Sequence, residues 1–425
     1  MTDDSPWTKG MGEDGDEGPK DLGATFVENT LYGPDLNVLD GEFIGDRGRV
    51  FGLALKTGLL TVLTLGFYRF WMKTRLRRWY WSGVRVGGAP AEYTGDPLEK
   101  LLGFLIAVAF LAFYIGIVNL LLMFVSFSLF EGNFAAYALS FAGVVPLWFY
   151  ARYRARRYVL ARTRWRGIRF GLEPGAWGYA WRALVHWAVT ILTGGLLWPR
   201  MTFWLEKYRT DRTWYGDVRL EQEGKWTMLY TATKHVFLAA VVAGIAAILL
   251  WADNIWGISV AFVAVIWGGF GLAYYKVKTW ELLTNAKRAG GIVFHARPKP
   301  LRVFWIYVLG YGLSSFVVTI FLVPIGFMLL ALMGGVEALA AGGAANLTSL
   351  SSWALTAVSI GSYFAIFLAW GAVAHAFVTM PLWRHYSETL TVIDPQALHL
   401  VQQRGRDSFE EAEGFAEALD VGAAI

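Results

Sequence analysis

Residues Leu101–Phe130 read LLGFLIAVAFLAFYIGIVNLLLMFVSFSLF, thirty positions without one charge. Val303–Met333 is a second run of that kind. About 20 such residues suffice for a helix to cross a bilayer, and a core helix of a water-soluble domain needs fewer. The rest of the 425-residue chain agrees: apolar residues make up 56% and charged residues 17%, against roughly 45–50% and about 25% in soluble domains. These numbers predict a polytopic membrane protein.

Composition also excludes chemistry. There are no cysteines, so disulfides, thiolate nucleophiles, iron–sulfur clusters and cysteine-bound zinc are all ruled out. The net charge is only +5, but it is unevenly placed. Asp3, Asp4, Glu13, Asp14, Asp16 and Glu17 crowd the start, Glu410, Glu411 and Glu413 the end, while Lys and Arg crowd beside the apolar segments. That is a topology signal rather than a nucleic-acid one. The first forty residues lack a basic start and an apolar core, so no cleavable signal peptide is expected and residues 1–40 are expected to form a disordered cytoplasmic head. Residues 41–394 form the expected membrane domain and 395–425 a cytoplasmic tail.

Six segments predict full spans: Leu101–Phe130, Phe134–Tyr150, Val236–Trp251, Ile255–Tyr275, Val303–Met333 and Leu350–Ala374. Val50–Tyr68, interrupted by Lys56, and Ala183–Trp198, with His186 and Gly194-Gly195, are shorter and are expected to be re-entrant or interfacial. Basic-aromatic runs follow several of these segments, at Tyr68–Tyr80, Trp148–Tyr158, Trp198–Arg209, Tyr274–Trp280 and, most weakly, Pro381–Tyr386. Most are followed by a short glycine-bordered alternation: Val84–Val86, Ile168–Phe170, Val218–Leu220 and Ile292–Phe294 are expected to be strands, with Gly41–Ile44 as an additional copy. An isolated strand is unstable in water, so these copies are expected to pair as small cytoplasmic sheets. The fold class expected is thus mainly α and polytopic, with about six transmembrane helices, two re-entrant or interfacial segments and short cytoplasmic β-strands in repeated units. Lys and Arg flanking the spans place both termini in the cytoplasm.

The run Leu63–Ser82 with Glu92-Tyr-Thr-Gly95, and Tyr153–Tyr158 followed by Arg162–Phe170 and Ala176–Tyr179, resembles the YjgN-like bacterial inner-membrane proteins, from about Gly41 to Asp394. The resemblance implies a bacterial inner membrane. It supplies no activity and no site residues, because that family is a domain of unknown function.

Functional residues must then come from the chemistry of the chain. Arg75, Arg77, Arg78, Arg154, Arg156 and Arg157 are dense enough to meet anionic lipid headgroups; the alternative is that such belts only fix topology and anchor helix ends. Lys56 and His186 lie within apolar segments, where ionisable groups are costly. They could line a polar pathway, or Lys56 could snorkel and His186 pack as a hydrogen-bonded imidazole. No HExxH pair, Walker loop or nucleophile elbow occurs, so no catalytic residue, metal or cofactor is expected, and the protein is not expected to be an enzyme. The leading expectation is a transporter- or channel-like pathway for a polar solute; the competing one is a non-transporting scaffold or lipid-organising protein. Expected partners are anionic membrane lipids and further copies of the chain, with no nucleic acid.

Overall fold

The structure, a computed structural model, describes residues 38–130, 134–332 and 352–404. Its centre is a closed barrel of ten antiparallel strands. They are β1 Val38–Phe43, β2 Val84–Val86, β3 Ala89–Tyr93, β4 Thr163–Trp165, β5 Ile168–Leu172, β6 Thr213–Tyr215, β7 Val218–Gln222, β8 Lys287–Ala289, β9 Ile292–Ala296 and β10 Leu390–Ile393. Sequence neighbours pair around the ring, and β1 closes it: Val38–Asp40 pair with β10 while Gly41–Phe43 pair with β2.

This corrects the expected fold class. Val84–Val86, Ile168–Phe170, Val218–Leu220 and Ile292–Phe294 are indeed paired strands. They belong to one barrel instead of several small sheets, so the protein is not a mainly α bundle. Four β-hairpins turn in two residues, at Gly87-Gly88, Arg166-Gly167, Gly216-Asp217 and Gly290-Gly291. Positive φ at Gly87, Gly88, Arg166 and Gly167 matches the primed turns that suit strand twist. Inward positions are apolar (Leu39, Val86, Trp165, Phe170, Tyr215, Phe294 and Val392 among them). Outward positions carry charge, with Glu42 opposite Arg85, Glu92 opposite Arg164 and Glu221 opposite Arg288, favourable cross-strand pairs on a solvated face. Strands of three to six residues are too short to cross a bilayer, which takes about 9–11.

Helices form the excursions between barrel strands. They are α1 Arg47–Leu63 and α2 Arg69–Gly83; α3 Pro97–Phe113, a π turn at Tyr114–Val118, α4 Asn119–Phe130 and α5 Phe134–Ala161; α6 Ala176–Leu192 and α7 Trp198–Thr210; α8 Tyr230–Trp251 and α9 Trp256–Asn285; α10 Pro300–Leu332, α11 Ser352–Ala374, a π turn at His375–Thr379 and α12 Met380–Glu388. Each excursion leaves the barrel and returns to it. Among the described residues four helices are long and apolar enough to cross a membrane: Trp226–Trp251, Trp256–Asn285, Pro300–Ile320 and Ile360–Glu388. The protein is therefore a membrane protein with four candidate spans, which corrects the six expected. Leu101–Phe130 and Phe134–Tyr150 are not among them. Within the first of these, Gly116–Ser128 forms an apolar helix shorter than the spans; a charge-free run measures apolar length, not the length of one helix.

Both weak apolar segments end in a helical reversal with one bonding pattern. Gly66 N–H donates to Thr61 O (2.7 Å) and Gly195 N–H to Thr190 O (2.8 Å); Arg69 N–H donates to Gly66 O and Trp198 N–H to Gly195 O. Leu65, Gly66, Gly194 and Gly195 all have positive φ, which lets the helix C-terminus satisfy its last carbonyls before turning.

The barrel boundaries run past those expected for the domains, since β1 starts at Val38 and residues after Ile393 close one end. In the 3₁₀ turn Pro395–Leu400 and just beyond it, Leu398 and Val401 are buried against Leu39, Tyr215 and Ile292. Asp217 fastens this plug: its N–H donates to Gln402 O (3.0 Å) and its Oδ1 accepts from Gln402 N–H (2.9 Å). Asp217→Ala is expected to cost about 1 kcal/mol and to make the chain after Ile393 more susceptible to limited proteolysis, with the rest of the fold unchanged. Residues 1–37 of the expected head and 405–425 of the expected tail lie outside the described residues.

Candidate functional site

The third basic-aromatic run, Trp198–Arg209, contains one acid, Glu206. Helix α7 sets it among three cations, one on the same helix and two brought from distant parts of the chain. Glu206 Oε2 is 2.5 Å from Arg209 Nη2 on the same helix, Oε1 is 2.9 Å from Lys287 Nζ on β8, and Oε1 is 3.9 Å from Arg156 Nη2 on α5. The Glu206 side chain is only 13% exposed. Burial by itself would raise its carboxyl pKa, but Lys287, Arg209 and Arg156 outweigh burial and hold it well below the ordinary carboxylate range. One carboxylate against three cations leaves an excess of positive charge.

That cluster forms the floor of a cleft of about 610 Å³ between α7 and α9. Trp198 of α7 and Leu272 and Tyr275 of α9 line its apolar part, and the Trp198 and Tyr275 rings meet at a 38° tilt with centroids 4.5 Å apart. From Leu272 to Thr284 the cleft follows α9 for roughly 18 Å at 1.5 Å per residue. It therefore grades from an apolar wall within a candidate span to a cationic floor at the barrel rim.

The candidate residues from the sequence are dispersed around this site. Arg156 belongs to it. Arg154, half-buried, donates from Nη1 to Tyr150 Oη (2.8 Å), and Arg157 is half-buried on the same helix. Arg75 is exposed above the Tyr68 ring, and Arg78, also exposed, donates to Gly95 O (3.0 Å). Arg77 is fully buried, with its guanidinium over Tyr93 and Nη1 3.4 Å from the Tyr93 hydroxyl. The belt is thus partly internal framework and partly surface.

Lys56 is exposed on α1. His186 is half-buried on α6, and its Nδ1 lies 3.2 Å from Arg200 Nη1. Burial, then Arg200 and Arg182, lower the His186 pKa, so the neutral ring accepts the guanidinium N–H. The turn pattern that aligns Thr61 with Thr190 and Gly66 with Gly195 sets Lys56 opposite Val185 and Thr57 opposite His186. Lys56 and His186 are not equivalent positions, and no hydrogen bond joins them among the described residues. Glu206, Arg209 and Lys287 are the candidate-site residues that the sequence reading missed. The available signal was a lone acid inside a basic run; what it meets depends on barrel closure.

No curated protein and no solved structure matches the chain. A family described as "Bacterial protein of unknown function (DUF898)" matches residues 38–313. The match bears out the resemblance carried by Leu63–Ser82 and Tyr153–Tyr158, and it takes in nine of the ten strands as well as Arg156, Glu206 and Lys287. With more than half of its length matched, the chain belongs to the YjgN-like, DUF898 family of bacterial proteins.

Proposed function

We propose that this is a lipid-organising protein of the bacterial inner membrane, which holds an anionic lipid in the cleft between α7 and α9. The observation that carries the reading is the charge imbalance around Glu206 at the base of an apolar-walled, membrane-level cleft. An acyl chain against Leu272 and Trp198 with a phosphate near Arg156 and Lys287 complements both ends of such a site. The Lys/Arg asymmetry supports a cytoplasmic position for the barrel and both termini. All five excursions return to one barrel, which implies an even number of crossings in each. The matching turns of the two short hairpins support their origin by duplication. A pathway for a polar solute draws less support, because Lys56 faces outward and His186 is engaged by Arg200.

Lipids co-purifying with the protein are expected to be enriched in phosphatidylglycerol and cardiolipin over the host membrane. Arg156→Gln should reduce that enrichment about fivefold, since a cation near the surface contributes about 1 kcal/mol. Quantitative mass spectrometry of extracted lipid tests this, and co-purification in bulk proportions would overturn the reading.

A further inference from the structure

We infer that the barrel interior is a chamber for a hydrocarbon chain, belonging to a single-chain anionic amphiphile that enters from the membrane side past Trp81 and Trp383. Beside the packed core of the barrel lies a cavity of about 330 Å³, walled by Val84, Ala91, Trp165, Phe170, Phe294 and Val392 together with the two tryptophans. Eight strands give a barrel whose interior side chains just fill, and width grows with strand number. Ten strands leave this space.

The walls do not suit water. A buried water needs two to four polar partners. Thr163 Oγ1 is already engaged, accepting from Trp81 Nε1 (3.1 Å) and donating to Val159 O (2.8 Å), and Trp165 Nε1 donates to Ala89 O (3.2 Å). Apolar surface is driven out of water, so a space walled in this way fits an apolar occupant.

The route in is a second cavity of about 520 Å³, which shares Val84, Trp383 and Leu390 with the chamber and Lys276 and Trp280 with the cleft above Glu206. Trp81 and Trp383 meet with ring centroids 5.0 Å apart at the chamber mouth. Trp383 sits on α12 just after the π turn His375–Thr379, and such wide turns are frequent at functional sites. The opposite end of the barrel is plugged by Leu398 and Val401. Lys276, exposed and 3.2 Å from the Tyr307 hydroxyl, places one cation where the cavities join. That charge selects a carboxylate or phosphate headgroup over a neutral one. The headgroup preference rests on the lipid reading above; the chamber for the chain does not.

The test uses full-length protein in lipid nanodiscs and two photoreactive probes: a sixteen-carbon fatty acid with a diazirine at its chain end, and the corresponding uncharged alcohol. Mass spectrometry is expected to find the label on barrel residues 163–170 and 390–392 as well as on outward faces of the spanning helices. Ala91→Phe should lower barrel labelling by both probes at least tenfold and leave the outer labelling unchanged. Lys276→Gln should lower barrel labelling by the acid about fivefold and not that by the alcohol. Wild-type labelling confined to outer helix faces overturns the chamber. So does undiminished barrel labelling in Ala91→Phe. If that variant does not fold, the wild-type pattern decides alone. Barrel labelling by both probes that ignores Lys276→Gln would keep the chamber and refute the anionic headgroup.

Discussion

Glu206→Gln is expected to lower the apparent unfolding temperature of the purified protein by roughly 5 °C. The substitution keeps the side chain's shape and removes the one negative charge facing Arg156, Arg209 and Lys287. Removing one partner of a buried ion pair costs about 3–5 kcal/mol, because the partner charge stays buried without compensation. For a folded chain of this size each kcal/mol moves the midpoint by about 1–1.5 °C. The same site fixes a pH dependence. The Glu206 carboxyl is held well below its ordinary 4.5 when folded, so its stabilisation is fully present above that value and lost as pH falls from it through the folded pKa. Thermal melts of wild type between pH 7 and pH 3 should show this loss, and Glu206→Gln should flatten that part of the profile. A variant that melts like wild type at pH 7 would remove the cluster from any structural account.

Gly41→Val is expected to open the barrel. Gly41 lies in β1 where the strand passes from β10 to β2. A Cβ there would collide with Ser387 O at the end of α12 and lie 2.8 Å from Leu390 O. Both obstacles are backbone carbonyls, so no side chain can swing aside. Overpacking of a buried site costs about 1–3 kcal/mol when neighbours can shift; here the strand itself must move, and the ladder with β10 goes with it. Hydrogen exchange should show faster exchange at Val38–Asp40 and Thr391–Ile393, with α8 and α9 unaffected. Gly52→Val is the control, since nothing lies within 4 Å of its Cβ position. Equal protection in the two variants would mean that β1 closure does not depend on this contact.

Much of the local structure was legible in the sequence. Long apolar runs marked α8 to α11, because burying backbone in hydrocarbon forces a helix over about 20 residues. Period-two alternation bordered by glycine marked β2, β5, β7 and β9. Gly194-Gly195 marked the second helical reversal, whereas the matching one at Leu65–Gly66 emerged only from its positive φ values. Other features carried too little signal. Thr163–Trp165, Thr213–Tyr215 and Lys287–Ala289 are strands of three residues, too short for any periodicity to show, and they exist because a neighbour offers the other half of each hydrogen bond. Composition averaged over hundreds of residues hid them behind the helices.

The amino-acid sequence by itself determined the membrane environment, the family, the positions of most helices and the absence of cysteine chemistry, all of which depend on residues near one another in the chain. Only the tertiary structure decided that the strands form one ring, that Leu398 and Val401 plug it, and that Glu206 meets Lys287 and Arg156. Ring closure joins Val38 to Ile393, positions hundreds of residues apart whose pairing leaves no local pattern. Its driving force is the removal of unpaired strand edges, which belongs to the assembled sheet and to no segment of it.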